Sequence, residues 1–319
     1  MRGSVHPHVG RSNRRVAPNR GRVLSMRHAV LGAGGVGGLI GAYLAECGFS
    51  VTVILRREAV QTFPERLQLE SPIGNFRVPV DRAATVPGVD VLWVAVKATQ
   101  LDSALQLVGT PSDVPTIVPL LNGVDHIALL QSRYGPDRVV AATLAVEAER
   151  VAPGHVVQRS PFVRLRISST GCERLEEPVR RLQELGVTCQ FVDDDRTLMW
   201  SKLVFLAPLA LATTARSQTK GELHSDRHAW QEVQDCVWEA CRVAQAEGAT
   251  VDAEQVISSL DSLPEGMQTS MQRDVAAGRT PELDAIGGAV LRGAIRHGIA
   301  VPVTRSLVTR VERRLTGPR

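Results

Sequence analysis

Residues 28–38 read HAVLGAGGVGG, a short and largely apolar run followed by five glycines in seven positions. Such a turn binds a dinucleotide only in context. A strand must precede it, a helix must follow, and a second strand must end about 20 residues on with a residue that reads the ribose. All three are present. His28–Leu31 opens into Gly32-Ala33-Gly34-Gly35-Val36-Gly37, a GxGxxG pattern. LIGAYLAECG (39–48) has helical apolar spacing and stops at Gly48, and SVTVIL (50–55) is β-branched and apolar. Gly32 is expected to permit the tight turn, Gly34 to let the backbone approach a pyrophosphate, and Gly37 to let helix and strand pack closely. The helix N-terminus then offers unpaired N–H groups to the phosphate charge.

The second strand ends at Arg56-Arg57. A carboxylate there would take the 2′-hydroxyl of NAD, whereas a guanidinium grips a 2′-phosphate through two parallel hydrogen bonds. NADP(H) bound by Arg56 is therefore the expected cofactor. Arg57 reads either as a second contact or as a solvated loop residue.

Charge and composition narrow the remaining classes. The formal net charge is +4, but residues 1–25 hold six arginines and no acid. Removing those six from the 37 lysines and arginines leaves 31 basic residues against 33 acidic, so the body is not basic and no nucleic-acid partner is expected. The tail carries Pro, Gly, Ser and Asn throughout with no apolar period, and reads as a disordered basic extension ahead of Met26. No uninterrupted apolar run reaches the roughly 18 residues of a membrane span, so no membrane partner is expected. The five cysteines lie at wide spacings without a CxxC pair, which suggests free thiols in a cytoplasmic protein and no metal site.

Two further strands are expected at VDVLWVAVK (89–97) and VPTIVPLLNG (114–123), near-continuous apolar runs suited to a sheet covered on both faces. Lys97 and Asn122 stand at their carboxyl ends, where open α/β sheets bind ligands. Taken alone, Lys97 reads as a surface charge and Asn122-Gly123 as a turn. Together, VKATQ (96–100) and LLNGV resemble the ketopantoate reductases (2-dehydropantoate 2-reductases). The resemblance places Lys97 by the adenosine ribose of NADP and Asn122 by the nicotinamide. It also places Ala148, in EAERVAPG (147–154), along the cofactor.

From about 195 the pattern becomes helical, with Asp193-Asp194-Asp195 suited to a helix start. VRLRISSTG to VTCQFVDDD, just before it, is expected to finish the first domain's sheet. The expected organisation is a Rossmann-type domain over 26–193 followed by an all-α domain over 194–319, an α/β unit joined to a helical one. LMWSKLVFLAPLALATTA (198–215) carries Lys202 in an otherwise apolar run. Either the lysine snorkels to water, or burial lowers its pKa toward the range useful for proton transfer. The resemblance is specific here, because Trp-x-Lys-Leu opens the second-domain helix of ketopantoate reductases and its lysine gives the proton to the substrate ketone. The segment 269–304 is similar to the same family. It implies that Ser270 contacts the substrate carboxylate and that Glu282 serves the active site and the cofactor ribose. Asp284 reads as a helix-end residue, and Glu282 alone could be an ordinary acid following Pro281.

The resemblance implies reduction of 2-dehydropantoate, a small 2-oxo acid, to pantoate by NADPH, a step toward pantothenate and coenzyme A. It departs at three positions. The family's substrate-holding asparagines, four and eight residues after the lysine, are Leu206 and Ala210 here, and a third is Lys220. That spacing puts Leu206 and Ala210 beside Lys202 and predicts an apolar pocket wall. Lys220 is expected to be solvated or to pair with a carboxylate. An NADPH reductase of a more apolar oxo substrate and a non-catalytic NADP sensor remain as alternatives. Pairing of helical second domains into a homodimer is a further expectation.

Overall fold

The glycine turn is where the architecture begins. In the computed structural model, which describes residues 26–109 and 114–316, the chain runs β1 (Arg27–Leu31), α1 (Gly35–Glu46), β2 (Ser50–Ile54), β3 (Arg66–Glu70), β4 (Asn75–Pro79), β5 (Asp81–Ala83) and β6 (Val91–Val94). After these come α2 (Leu101–Ala104), β7 (Thr116–Pro119), α3 (Asp125–Tyr134), β8 (Ala142–Ala145), β9 (Ala148–Ala152), β10 (His155–Gln158), β11 (Arg164–Ser168), α4 (Cys172–Leu185) and β12 (Thr188–Val192). Helices follow: α5 (Asp195–Arg216), α6 (Lys220–Ser225), α7 (Arg227–Ala246), α8 (Ala253–Asp261), α9 (Ser270–Ala276), α10 (Ala289–His297) and α11 (Pro302–Thr316). The basic tail, residues 1–25, lies outside the described residues.

The apolar runs read as two-faced strands form one parallel sheet of order β5-β2-β1-β6-β7. β1 and β6 are central, and Val30, Leu92 and Trp93 are fully buried. The strand order reverses between β1 and β6, so the crevice at their carboxyl ends is the place where such sheets take ligands. The Trp93 indole N–H donates to His28 Nδ1 at 3.1 Å, which satisfies one polar group inside this core.

Two smaller sheets complete the α/β part. A sheet of order β4-β3-β10-β9 covers the far side of α1, so this helix is enclosed by sheets on two faces. The tightness shows at Gly41, where an added Cβ would lie 3.2 Å from Leu67 and 3.5 Å from Val30. The segment 163–192 does not extend the main sheet as expected. β12, β11 and β8 form a separate three-stranded sheet, joined to β7 by one bridge between Ile117 and Val139. The reason is local: β8 pairs antiparallel with β11, and Ser168 N–H donates to Ala141 O, so β11 is already occupied on that side.

The helical part starts at α5, whose N-cap Asp194 accepts from Arg196 N–H and Thr197 N–H. α5 runs through a core built with α7, α10 and α11, in which Val204, Ala207, Val237, Val290 and Leu307 have no exposed surface. By length and composition this helix could cross a membrane, but 78% of its apolar window is buried inside the fold. A small cluster of Ala141, Leu198 and Met199, packed by Val124 and Ile127, joins the start of α5 to the start of α3. All five cysteines are unpaired.

Candidate active site

The turn after β1 has the geometry of a phosphate cradle. Gly32 sits at φ +107°, in the left-handed region that disfavours side chains. At Gly37 an added Cβ would fall 1.8 Å from Gly32 O, so only glycine allows this close approach of helix and turn. Gly34 differs, because an added Cβ there meets nothing within 4 Å and that side of the turn faces open space. Gly34 is also the N-cap of α1, with no side-chain cap and no acid in the first turn. The leading N–H groups, on Gly35, Val36 and Gly37, therefore stay available to an anion, as a dinucleotide pyrophosphate requires. Ala33 completes the turn between β1 and α1.

Ala148, at the start of β9, backs this turn: its carbonyl oxygen would lie 2.3 Å from a Cβ on Gly35. Arg56 follows β2 with an exposed side chain. No carboxylate occupies that strand end, and the first acid beyond it is Glu58 in a short helical turn. Lys97, after β6, does not stand free. Its Nζ lies 2.6 Å from Asp274 Oδ2 on α9, and Asp274 also accepts from Arg279 at 2.8 Å.

Asn122 and Glu282 are drawn together across 160 positions of sequence. Asn122 Nδ2 donates to Glu282 Oε2 at 2.9 Å, and Ala98 N–H donates to Glu282 Oε1 at 2.8 Å. Glu282 therefore does not serve as a helix-capping acid. It precedes a π-helical turn (Asp284–Gly288) that leads into α10, and its carboxylate crosses to the carboxyl ends of β6 and β7. The charge of Glu282 reaches Lys202, the half-buried lysine of α5. Burial brings the Lys202 ammonium down from 10.5 to about 8, and the nearby Glu282 carboxylate partly opposes that fall. A lysine so placed is mostly protonated at neutral pH yet gives up its proton far more readily than a surface lysine.

One residue near Lys202 was not among those expected from sequence. His126, in the first turn of α3, is buried, and burial together with the Lys202 charge pushes its pKa down to about 3. Its neighbour Asp125 accepts from Arg292 of α10 at 2.7 Å, and Arg292 also binds Asp284 at 2.6 Å. Asp284 is thus held by an ion pair to the helix that follows it. Arg273 on α9 pairs with Glu147 just before β9.

The substrate-side residues are less uniform. Ser270 is exposed at the first position of α9, while its neighbour Thr269 caps that helix and lies 3.0 Å from Thr213 Oγ1. Leu206 is half-buried one turn beyond Lys202 and packs against the helical core. Ala210 is different: it has no exposed surface and belongs to the helical core, so it cannot line an open wall. Lys220 is neither solvated nor paired with a carboxylate. It is buried, donates to the Asp261 carbonyl at 2.8 Å, and sits 5.7 Å from the centre of the Trp230 ring.

Comparison with known proteins places the chain in a family. Residues 28–170 match the family model described as ketopantoate reductase PanE/ApbA, and residues 194–314 match its C-terminal counterpart. A 2-dehydropantoate 2-reductase of Caulobacter vibrioides is 31% identical over 289 residues, covering 88% of this chain and 96% of the relative. The uncharacterized oxidoreductase YkpB of Bacillus subtilis is 28% identical, covering 90% and 98%. Among solved structures, a PanE/ApbA family ketopantoate reductase from Ralstonia eutropha superposes with a TM-score of 0.80 at 26% identity, covering 91% of this chain and 99% of its own. A D-mandelate dehydrogenase in complex with NADH has a TM-score of 0.79 at 25% identity, with coverage of 91% and 99%. With a parallel sheet carrying the glycine turn and a helical domain carrying Lys202 and Glu282, the chain belongs to the ketopantoate reductase PanE/ApbA family, whose members are oxidoreductases acting on a ketone/hydroxyl pair.

Proposed function

We propose that this protein reduces 2-dehydropantoate to pantoate with NADPH. The supporting observation is the convergence of Asn122, Glu282 and Lys202 at the carboxyl ends of β6 and β7, beside the glycine turn. A reduced nicotinamide bound there supplies the hydride for the ketone carbon. Lys202 gives a proton to the oxygen as negative charge develops on it. Glu282 stabilises the lysine in its charged form, while Asn122, fixed by Glu282, presents its amide to the reactants. Ser270 holds the substrate carboxylate. Gly32 to Gly37 carry the pyrophosphate, Ala148 lies along the cofactor behind Gly35, Lys97 stands by the adenosine ribose, and Arg56 selects the 2′-phosphate. The free cysteines are consistent with a cytoplasmic setting. The reading includes a homodimer, which sedimentation of the purified protein tests.

The half-buried Leu206 favours a second reading, an NADPH reductase of a more apolar 2-oxo acid. The D-mandelate dehydrogenase of the same fold handles a hydroxy acid with an aromatic side chain, and its complex holds NADH. Both readings are tested by following nicotinamide absorbance with ketopantoate and with other branched and aromatic 2-oxo acids, each with NADPH and NADH. Turnover of ketopantoate with NADPH supports the first, and turnover of the apolar acids alone supports the second. Tight NADPH binding without any reduction would replace both with a sensor.

A further inference from the structure

His126 is only 5% exposed, and its Nε2 is fully buried without a hydrogen-bond partner. An orphaned polar atom of this kind is uncommon and calls for an explanation. The residues on either side supply the geometry. Val124 and Ile127 pack with Leu198 and Met199, so the first turn of α3 is pressed against the first turn of α5. Lys202 lies four residues beyond Leu198 and three beyond Met199, hence one turn further on the same face. Burial is the larger cause of the lowered His126 pKa and the Lys202 charge adds to it, so the two groups lie near one another across this contact between α3 and α5. Among the described residues Lys202 makes no hydrogen bond or ion pair of its own. An ammonium without a protein acceptor therefore lies near a buried ring nitrogen without a partner, and no hydrogen bond joins them in the structure.

We propose that His126 positions Lys202: its neutral Nε2 accepts a hydrogen bond from the Lys202 ammonium and points the remaining N–H bonds toward the reacting carbonyl. This rests on the reading of Lys202 as proton donor. Burial and the nearby ammonium both disfavour the imidazolium, so the ring stays neutral throughout the working pH range, and with its proton on Nδ1 it offers Nε2 as the acceptor. It does not shuttle protons. The ionisable groups facing Lys202 are then His126 from α3 and Glu282 from the turn before α10. Asp125 and Asp284 nearby share the single positive charge of Arg292, which both of them bind. Glu282 favours the ammonium through charge, whereas His126 fixes its direction.

The test compares wild type with His126→Leu, which removes the acceptor, and His126→Gln, whose amide reaches nearly as far. Trace acetylation of the Lys202 amine across pH, read by mass spectrometry on the substrate-free protein, gives its titration without turnover. In His126→Leu that titration is expected to move down by about one pH unit, a tenfold change in the amine's protonation ratio, and in His126→Gln to return most of the way. With NADPH and a 2-oxo acid, kcat falls roughly tenfold in His126→Leu with KM nearly unchanged, and the alkaline limb moves to lower pH. An unchanged Lys202 titration in a folded His126→Leu protein overturns the proposal. Should that variant not fold, the 15N resonance of His126 Nε2 in folded wild type and Lys202→Met decides: movement supports the bond, and identity overturns it. If wild type reduces no 2-oxo acid but the titration responds to His126→Leu, the catalytic reading fails while the contact stands.

Discussion

Replacing Lys202 by methionine should abolish reduction and also make the protein more stable at neutral pH. The structure holds the lysine where its pKa is about 8 against 10.5 for a free side chain. Below pH 8 both folded and unfolded chains carry the proton, so the folded state bears the full penalty of a desolvated charge. A fall of about 2.5 pH units corresponds to roughly 3 kcal/mol at about 1.4 kcal/mol per unit, reduced to about 2–3 kcal/mol because the side chain is not wholly shielded from water. Methionine fills a similar volume without the charge. At about 2 °C per kcal/mol, the variant should melt roughly 4–6 °C higher at pH 7. Between pH 8 and 10.5 the unfolded chain binds the proton that the folded chain has released, so wild-type stability gains on the variant as pH rises. The gap should close near pH 10.5. Thermal unfolding followed by circular dichroism on both proteins measures it, and effects of other groups cancel in the difference. A variant no more stable at pH 7, or a gap that persists undiminished at pH 10.5, would refute the account of a desolvated lysine.

The glycine turn separates folding from binding. Gly37→Ala drives a methyl into Gly32 O and should destabilise by about 3 kcal/mol or more, seen as a lower melting temperature. Gly34→Ala meets open space at an ordinary backbone conformation, so its melting temperature should match wild type while dinucleotide affinity, measured by fluorescence titration, falls at least about tenfold. Arg56→Glu should raise the KM for NADPH at least about tenfold and leave NADH nearly unaffected, since it removes a charge-assisted contact made only to the 2′-phosphate. Leu206→Asn should improve kcat/KM for ketopantoate relative to an apolar 2-oxo acid by about tenfold, the worth of one hydrogen bond to a charged substrate.

The parts of this molecule that sequence reveals are those whose physics is local. Gly32 must be glycine because of its own φ, and β6 is an apolar run because both its faces are covered. The helix start at Asp194 is a contact between neighbours. In the sheet of order β4-β3-β10-β9, RLQLE at 66–70 alternates clearly, but the edge strand β9, which pairs with β10, is exposed nearly throughout and carries no such signal. Sequence pairs neither Asn122 with Glu282 nor Ala98 with Glu282, because those contacts span 160 and 184 positions. Lys220 stands among polar neighbours and reads as solvated, yet a carbonyl 41 residues away and the Trp230 ring cover it. His126 begins a helix with no outward sign of burial. Only the packing of α3 on α5 places it beside Lys202.

The measurement that bears most directly on the central claim is the pH dependence of kcat/KM with NADPH, for wild type and Lys202→Ala. This ratio reports the ionisation of the free enzyme. If Lys202 is the proton donor, wild-type kcat/KM holds level at neutral pH and falls tenfold per unit above about pH 8, while the residual rate of the variant lacks that limb. A wild-type profile that stays flat well beyond pH 8, or a variant that keeps both the rate and the limb, would contradict it.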